Sequence, residues 1–137
     1  MIKLDKANDV EIVSMFAATL TSLANTVHSM NVEAGWWTDL KTGESIKDTR
    51  NVGEILMLIV SEVSEAMEAH RKGLMDDKLP HRHGVEVELA DAIIRIFDLC
   101  GAKGYDIGAA VMEKILYNLS RADHKIENRL KDGGKKY

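Results

Sequence analysis

The sequence predicts an all-α fold, a bundle of four to five helices completed by oligomerisation. Apolar residues recur at helical spacing through several long segments. Pro80 is the only proline and β-branched runs are short, so little interrupts a helix once it has started. A chain of 137 residues, 45% of them apolar and 29% charged, has the composition of one globular domain spanning 1–137.

The first helix is expected to start at a cap provided by Asn8 or Asp9 and to run towards Met30. Ile12, Val13, Phe16, Leu20, Leu23 and Val27 would form its apolar face. The pattern stops between Asn31 and Asn51, where Gly35, the pair Trp36-Trp37 and Gly43 predict an ordered loop. A second helix follows from about Val52 to Arg71, ended by Gly73 in the left-handed conformation. After a polar connection holding Asp76, Asp77, Pro80 and His81-Arg82-His83, a third helix spans about Val85 to Cys100, with Gly101 and Gly104 breaking it. Asp106 is the expected cap of a fourth helix that reaches about Ser120. The segment from about 122 to 137 reads as a basic, partly flexible tail. Met57, Met67 and Met112 are expected in the core.

A net charge of −4 gives no electrostatic reason to bind a nucleic acid polymer or an anionic membrane. Cys100 is the single cysteine, which excludes an intrachain disulfide or a cysteine metal cluster. Residues 1–9 are too charged for the core of a secretory signal. The longest apolar run, Ile55 to Val60, is well short of the roughly 20 residues that span a bilayer. A cytoplasmic protein without a membrane partner is the expectation. There is no Gly-x-Ser-x-Gly turn and no glycine-rich phosphate loop.

The most informative pattern is Glu62-Val-Ser-Glu65 followed in the next helix by Glu88-Leu-Ala-Asp91. Residues three apart share a helix face, so each pair can aim two carboxylates at one point. At about 100° per residue, Glu62 falls between Leu58 and Ala66 in the apolar half of its helix. The third helix is apolar nearly all round except for the stripe Glu88, Asp91, Arg95 and Asp98, which predicts burial and an enclosed acidic site. Close carboxylates repel by about 4 kcal/mol per pair at an effective dielectric of about 20, so something positive belongs among them. Arg95 would offset one charge. The rest fits Mg2+, with Mn2+ a substitute, better than di-iron, because neither pair includes the histidine of the di-iron pattern. The plainer alternative is a set of solvated surface acids.

On the fourth helix Lys114, Asn118 and Arg121 line one face, with Lys125 continuing the row and Val111, Ile115 and Leu119 on the packing side. That stripe suits phosphate oxygens, although a basic stripe is also an ordinary solvated face. Lys135 and Lys136 read either as extensions of it or as free tail lysines.

With these residues in view, the chain resembles the MazG-like all-α nucleoside triphosphate pyrophosphohydrolases, in their short single-domain form that includes phage-type members. The resemblance covers roughly Gly35 to the C-terminus and rests on Glu62-x-x-Glu65, Glu88-x-x-Asp91 and the later Lys114, Asn118 and Arg121. It implies a homodimer or homotetramer that cleaves a nucleoside triphosphate between its α- and β-phosphates. It also implies Mg2+ on Glu62, Glu65, Glu88 and Asp91, one of which activates water, with Asp98 an outer partner of the metal site. By the same resemblance, Trp36 or Trp37 would stack on a base while Asn25 and His28 bond to sugar or base. A tryptophan that merely staples the loop is the alternative for that pair. A non-catalytic helical nucleotide- or partner-binding module, or a related enzyme acting on a different nucleotide, fits the same residues.

Overall fold

The computed structural model describes residues 8–135, and every regular element in that span is helical. The helices are α1 (Asn8–Glu33), α2 (Val52–Lys72), α3 (Gly84–Lys103), α4 (Ile107–Ser120) and the single turn α5 (Ile126–Arg129), with a 3-10 turn at Ala122–His124 before α5. The all-α expectation is met. The reading of residues 1–9 as unlike a secretory signal, and that of Lys136, fall at least partly outside the described residues.

The chain forms two compact units. One holds residues 22–105, and the other the N-terminal segment to Thr21 together with Asp106 onward. In the first unit α2 and α3 pack along their length and run antiparallel, since Ile55 meets Leu99 while Ala69 meets Gly84. Asn51 begins α2, its Oδ1 accepting from Gly53 N at 2.9 Å. Gly73 and Gly104 end α2 and α3 with φ of 65° and 68°, which a residue with a Cβ rarely adopts.

Gly101 has a different role from the one its sequence position predicts. It lies inside α3, and a Cβ built there would stand 2.5 Å from His28 Cβ and 2.9 Å from the Ala24 carbonyl oxygen. The glycine lets α1 and α3 approach closely and does not break the helix. Ala24, buried at the same crossing, completes the contact.

The loop between α1 and α2 is ordered by its own hydrogen bonds. Gly35 turns the chain at φ 84°, Asp39 Oδ1 accepts from Lys41 N and Thr42 N, and Ile46 N donates to the Trp37 carbonyl at 3.0 Å. These bonds lower Trp37 into a core shared with Ile55, Leu99 and Ala102. In the second unit, Asp106 caps α4 as expected, its Oδ1 accepting from Ala109 N at 3.1 Å and from Thr21 Oγ1 at 3.0 Å. Gly108 sits against the Ala17 carbonyl, leaving no room for a side chain.

Three expectations about apolar residues need correction. Met57 and Met67 are exposed rather than in the core. Ile115 and Leu119, the expected packing side of α4, are exposed as well. The third helix is not buried all round, because Leu89, Ile93 and Ile94 are open to solvent. In addition, the stretch Val10–Glu33 is long and apolar enough to cross a bilayer by length and composition, although polar residues interrupt its apolar runs. Within residues 22–105 the later part of that helix is held by protein contacts, through Ala24 and His28.

Candidate metal centre and adjoining cavity

Helix geometry places Glu62 on the line of α2 that faces α3, together with Ile55, Ala66 and Ala69. Glu62 is only 7% exposed. A carboxylate this deep needs a partner, and Arg95 of α3 supplies one, its Nε donating to Glu62 Oε1 at 2.7 Å. Glu65, one turn along α2, and Glu88 of α3 complete the group. One oxygen from each of Glu62, Glu65 and Glu88 lies within 4.8 Å of the others.

The electrostatics match the crowding. Burial pushes the Glu88 carboxyl above the usual range, and the negative charges of Glu65, Glu62 and Asp91 push it further. Asp91 is raised for the same reasons, first by burial and then by Glu62, while Arg95 works in the opposite direction. Three carboxylates against one guanidinium leave excess negative charge, and the site is less enclosed than the sequence predicts, because Glu65 is exposed and Glu88 only half-buried. The donors are all oxygen, and their mutual spacing fits a hard divalent cation. The cluster could therefore hold a metal.

The sequence grouped four acids, and the structure brings three together. Asp91 stands outside the three-oxygen group and faces a neighbouring cavity of about 430 Å³, also lined by Asn31, Trp36, Arg50, Arg95 and Asp98. Asp98 accepts from Trp37 Nε1 at 2.8 Å and lies 2.8 Å from His28 Nδ1, both through the same oxygen. His28 and Trp37 meet edge to face, 5.2 Å between ring centroids. Asp98 thus ties α1, the loop and α3 together.

The tryptophans part company. Trp37 is 2% exposed and acts as the staple, whereas Trp36 is 64% exposed and lines the cavity. Asn25 is exposed and does not line that cavity.

Lys114, Asn118 and Arg121 belong to the other compact unit. Lys114 Nζ lies 5.0 Å from the centre of the Tyr117 ring, and Arg121 makes a two-pronged ion pair with Asp123 at 2.9 and 2.6 Å. Asn118 Oδ1 is buried with no hydrogen-bond partner among the described residues. His81, Arg82 and His83 are exposed, as expected of a polar connection. Burial pushes the Cys100 thiol up, which makes it a poor nucleophile.

Two residues of this region escaped the sequence reading. Asp76 is buried, accepts from Lys78 N at 3.0 Å and Leu79 N at 2.5 Å, and adds to the field that raises Asp91. Its place just before Asp77 and Pro80 carries an Asx-turn signal that could have marked it. Arg50 sits alone in a loop with no motif around it, and only the fold reveals that it reaches the cavity.

No family profile matches the chain, and neither a curated protein nor a solved structure matches it. The fold and site define a class by themselves: an all-α protein with an acidic cluster, buried at Glu62 and open to solvent at Glu65, beside an aromatic, guanidinium-lined cavity.

Proposed function

We propose that this protein is a Mg2+-dependent pyrophosphohydrolase, cleaving a nucleoside triphosphate between its α- and β-phosphates to a monophosphate and pyrophosphate. The observation that carries the reading is the convergence of the Glu62, Glu65 and Glu88 oxygens within 4.8 Å around a buried carboxylate. In this reading Glu62, Glu65 and Glu88 hold the ion, which Mn2+ can replace. When bound, the ion neutralises phosphate oxygens and acidifies a water molecule.

The chain's own residues take the remaining roles. Arg95 fixes Glu62 in position. Asp91, outside the three-oxygen group yet beside it and raised in proton affinity, is the carboxylate left to accept the proton of the attacking water. Trp36 offers the stacking face for a base, and the cavity it lines has room for one. Lys114, Asn118 and Arg121 lie in the other compact unit and are given no role at this site. A homodimer or homotetramer in the cytoplasm completes the proposal, because the exposed apolar residues of α2 and α3 call for a covering surface.

The test is a panel of ribo- and deoxyribonucleoside triphosphates with Mg2+, read for pyrophosphate. Pyrophosphate with a nucleoside monophosphate supports the assignment. Orthophosphate with a diphosphate overturns the cleavage position. Nucleotide binding with no product over long incubation makes the chain a non-catalytic binding module instead.

A further inference from the structure

Arg50 is the cation of this cavity whose charge is not already committed. Arg95 lines the same space, but its Nε is spent on Glu62. No carboxylate among the described residues lies within ion-pairing distance of Arg50. Its guanidinium rests over the Trp37 ring, 4.6 Å from the centroid, and one nitrogen donates to the Trp36 carbonyl at 2.8 Å. A guanidinium has five N–H donors in a planar fork, so one bond to a carbonyl and one face on an indole leave most of its edge unused. Stacking also fixes the plane in advance, which reduces the entropy lost when the fork binds an anion.

The surroundings determine what that edge faces. Asp98, which lines the same cavity, accepts from Trp37 and meets His28 through Oδ1 and makes no ion pair with Arg50. Asp91 and the exposed Trp36 indole border the same cavity. A ligand filling it would meet an aromatic face, a free guanidinium edge and, through Asp91 and Arg95, the acidic cluster. Those features are complementary to a flat ring carrying a polyanionic chain.

We infer that Arg50, pre-stacked on Trp37 and bonded to the Trp36 carbonyl, binds the phosphate chain of the ligand that occupies this cavity. The inference rests on the proposed function for the identity of that ligand and adds a phosphate-binding residue from the loop. Bidentate recognition of phosphate oxygens is the chemistry this fork supplies. The bond to the Trp36 carbonyl links the two ends of the site, since the arginine that holds the anion also sets the turn that presents the indole.

The test uses the full chain with Mg2+ and calorimetric titration of three probes: inorganic tripolyphosphate, α,β-imido nucleoside triphosphates, which resist cleavage at the assigned bond, and the corresponding uncharged nucleosides. Arg50→Gln keeps a donor for the Trp36 carbonyl and removes the charge. It is expected to weaken tripolyphosphate and the imido nucleotides by about ten- to a hundredfold, the range for a lost charge-assisted hydrogen bond. Nucleoside binding and Mg2+ affinity stay within about twofold on the same reasoning, and Arg50→Lys recovers part of the loss. Equal weakening of nucleosides and nucleotides would make Arg50 a loop brace only and overturn the inference. So would unchanged nucleotide affinity, or a wild-type chain that binds none of the phosphate probes. Arg50-dependent nucleotide binding without pyrophosphate release would sink the hydrolase reading and leave this one standing. Pyrophosphate release with an unchanged KM in Arg50→Gln would do the reverse.

Discussion

At the scale of single residues, Glu62 and Asp91 carry different burdens although both are acids on facing helices. Glu62 is buried and fastened to Arg95, so replacing it disturbs the candidate metal group itself. The double substitution Glu62→Gln and Glu65→Gln is expected to abolish Mg2+-dependent turnover while the helical circular dichroism persists. Retained activity would exclude the pair. Asp91→Asn is expected to lower kcat by about a hundredfold or more, as loss of a general base does, while Mg2+ affinity in calorimetry changes little. A parallel fall in both would return Asp91 to the metal ligands. Glu88 gives a pH test. Its carboxyl is raised in the folded chain above the ordinary 4.5, and that of Asp91 above 3.8, so the folded state holds protons that the unfolded state has released. Between the ordinary and raised values, stability therefore falls as pH rises, and above both the penalty is complete. In chelator, the melting temperature of the wild-type protein is expected to fall as pH rises above the ordinary carboxylate values, and Glu88→Gln to flatten that slope. At neutral pH Mg2+ should restore the lost stability to wild type. A melting temperature indifferent to pH, chelator and Mg2+ alike would argue against a crowded acidic site.

Among the elements, what could be read from sequence followed local chemistry. Gly73, Gly104 and Asp106 mark helix ends because capping depends on the residue itself and its immediate neighbours. The burial of Glu62 was legible too, since its angular position follows from periodicity alone. Gly101 was misread because its role depends on another helix: nothing near it in sequence reveals that Ala24 and His28 press against it. The division of labour between Trp36 and Trp37 and the reach of Arg50 are set by how a loop folds back, and the place of Asp91 outside the three-oxygen group by how α3 packs on α2. Neighbouring residues share a propensity signal and yet point in different directions. Gly101→Ala provides the check at this level. The added methyl meets His28 Cβ at a distance real side chains do not occupy, so a loss of about 1–3 kcal/mol is expected in denaturant unfolding, the usual cost of overpacking. A neutral result would mean that the two helices separate readily.

Considering the whole molecule, the apolar residues left in solvent are the feature most in need of explanation. On α2, Leu56, Val60, Val63 and Met67 follow the 4-3-4 spacing of a helix-packing seam, and each is about half exposed. On α3, Leu89 and Ile93 are similarly open. A soluble monomer rarely keeps such a stripe bare. Sedimentation velocity is expected to find a dimer or larger species, and Val60→Lys with Val63→Lys to shift it towards monomer. A wild-type monomer at micromolar concentration would leave the stripe for another kind of partner.

The placement of Cys100 has a practical consequence of its own. The thiol is buried on α3 and its ionisation is suppressed, so the folded protein hides its single thiol from maleimide-type reagents. Modification must then wait for α3 to loosen. The rate at which maleimide consumes this one group, followed by mass spectrometry, becomes a clock for how often the helix bearing Glu88 and Asp91 opens. Adding Mg2+ should slow that clock if the ion braces the same helix.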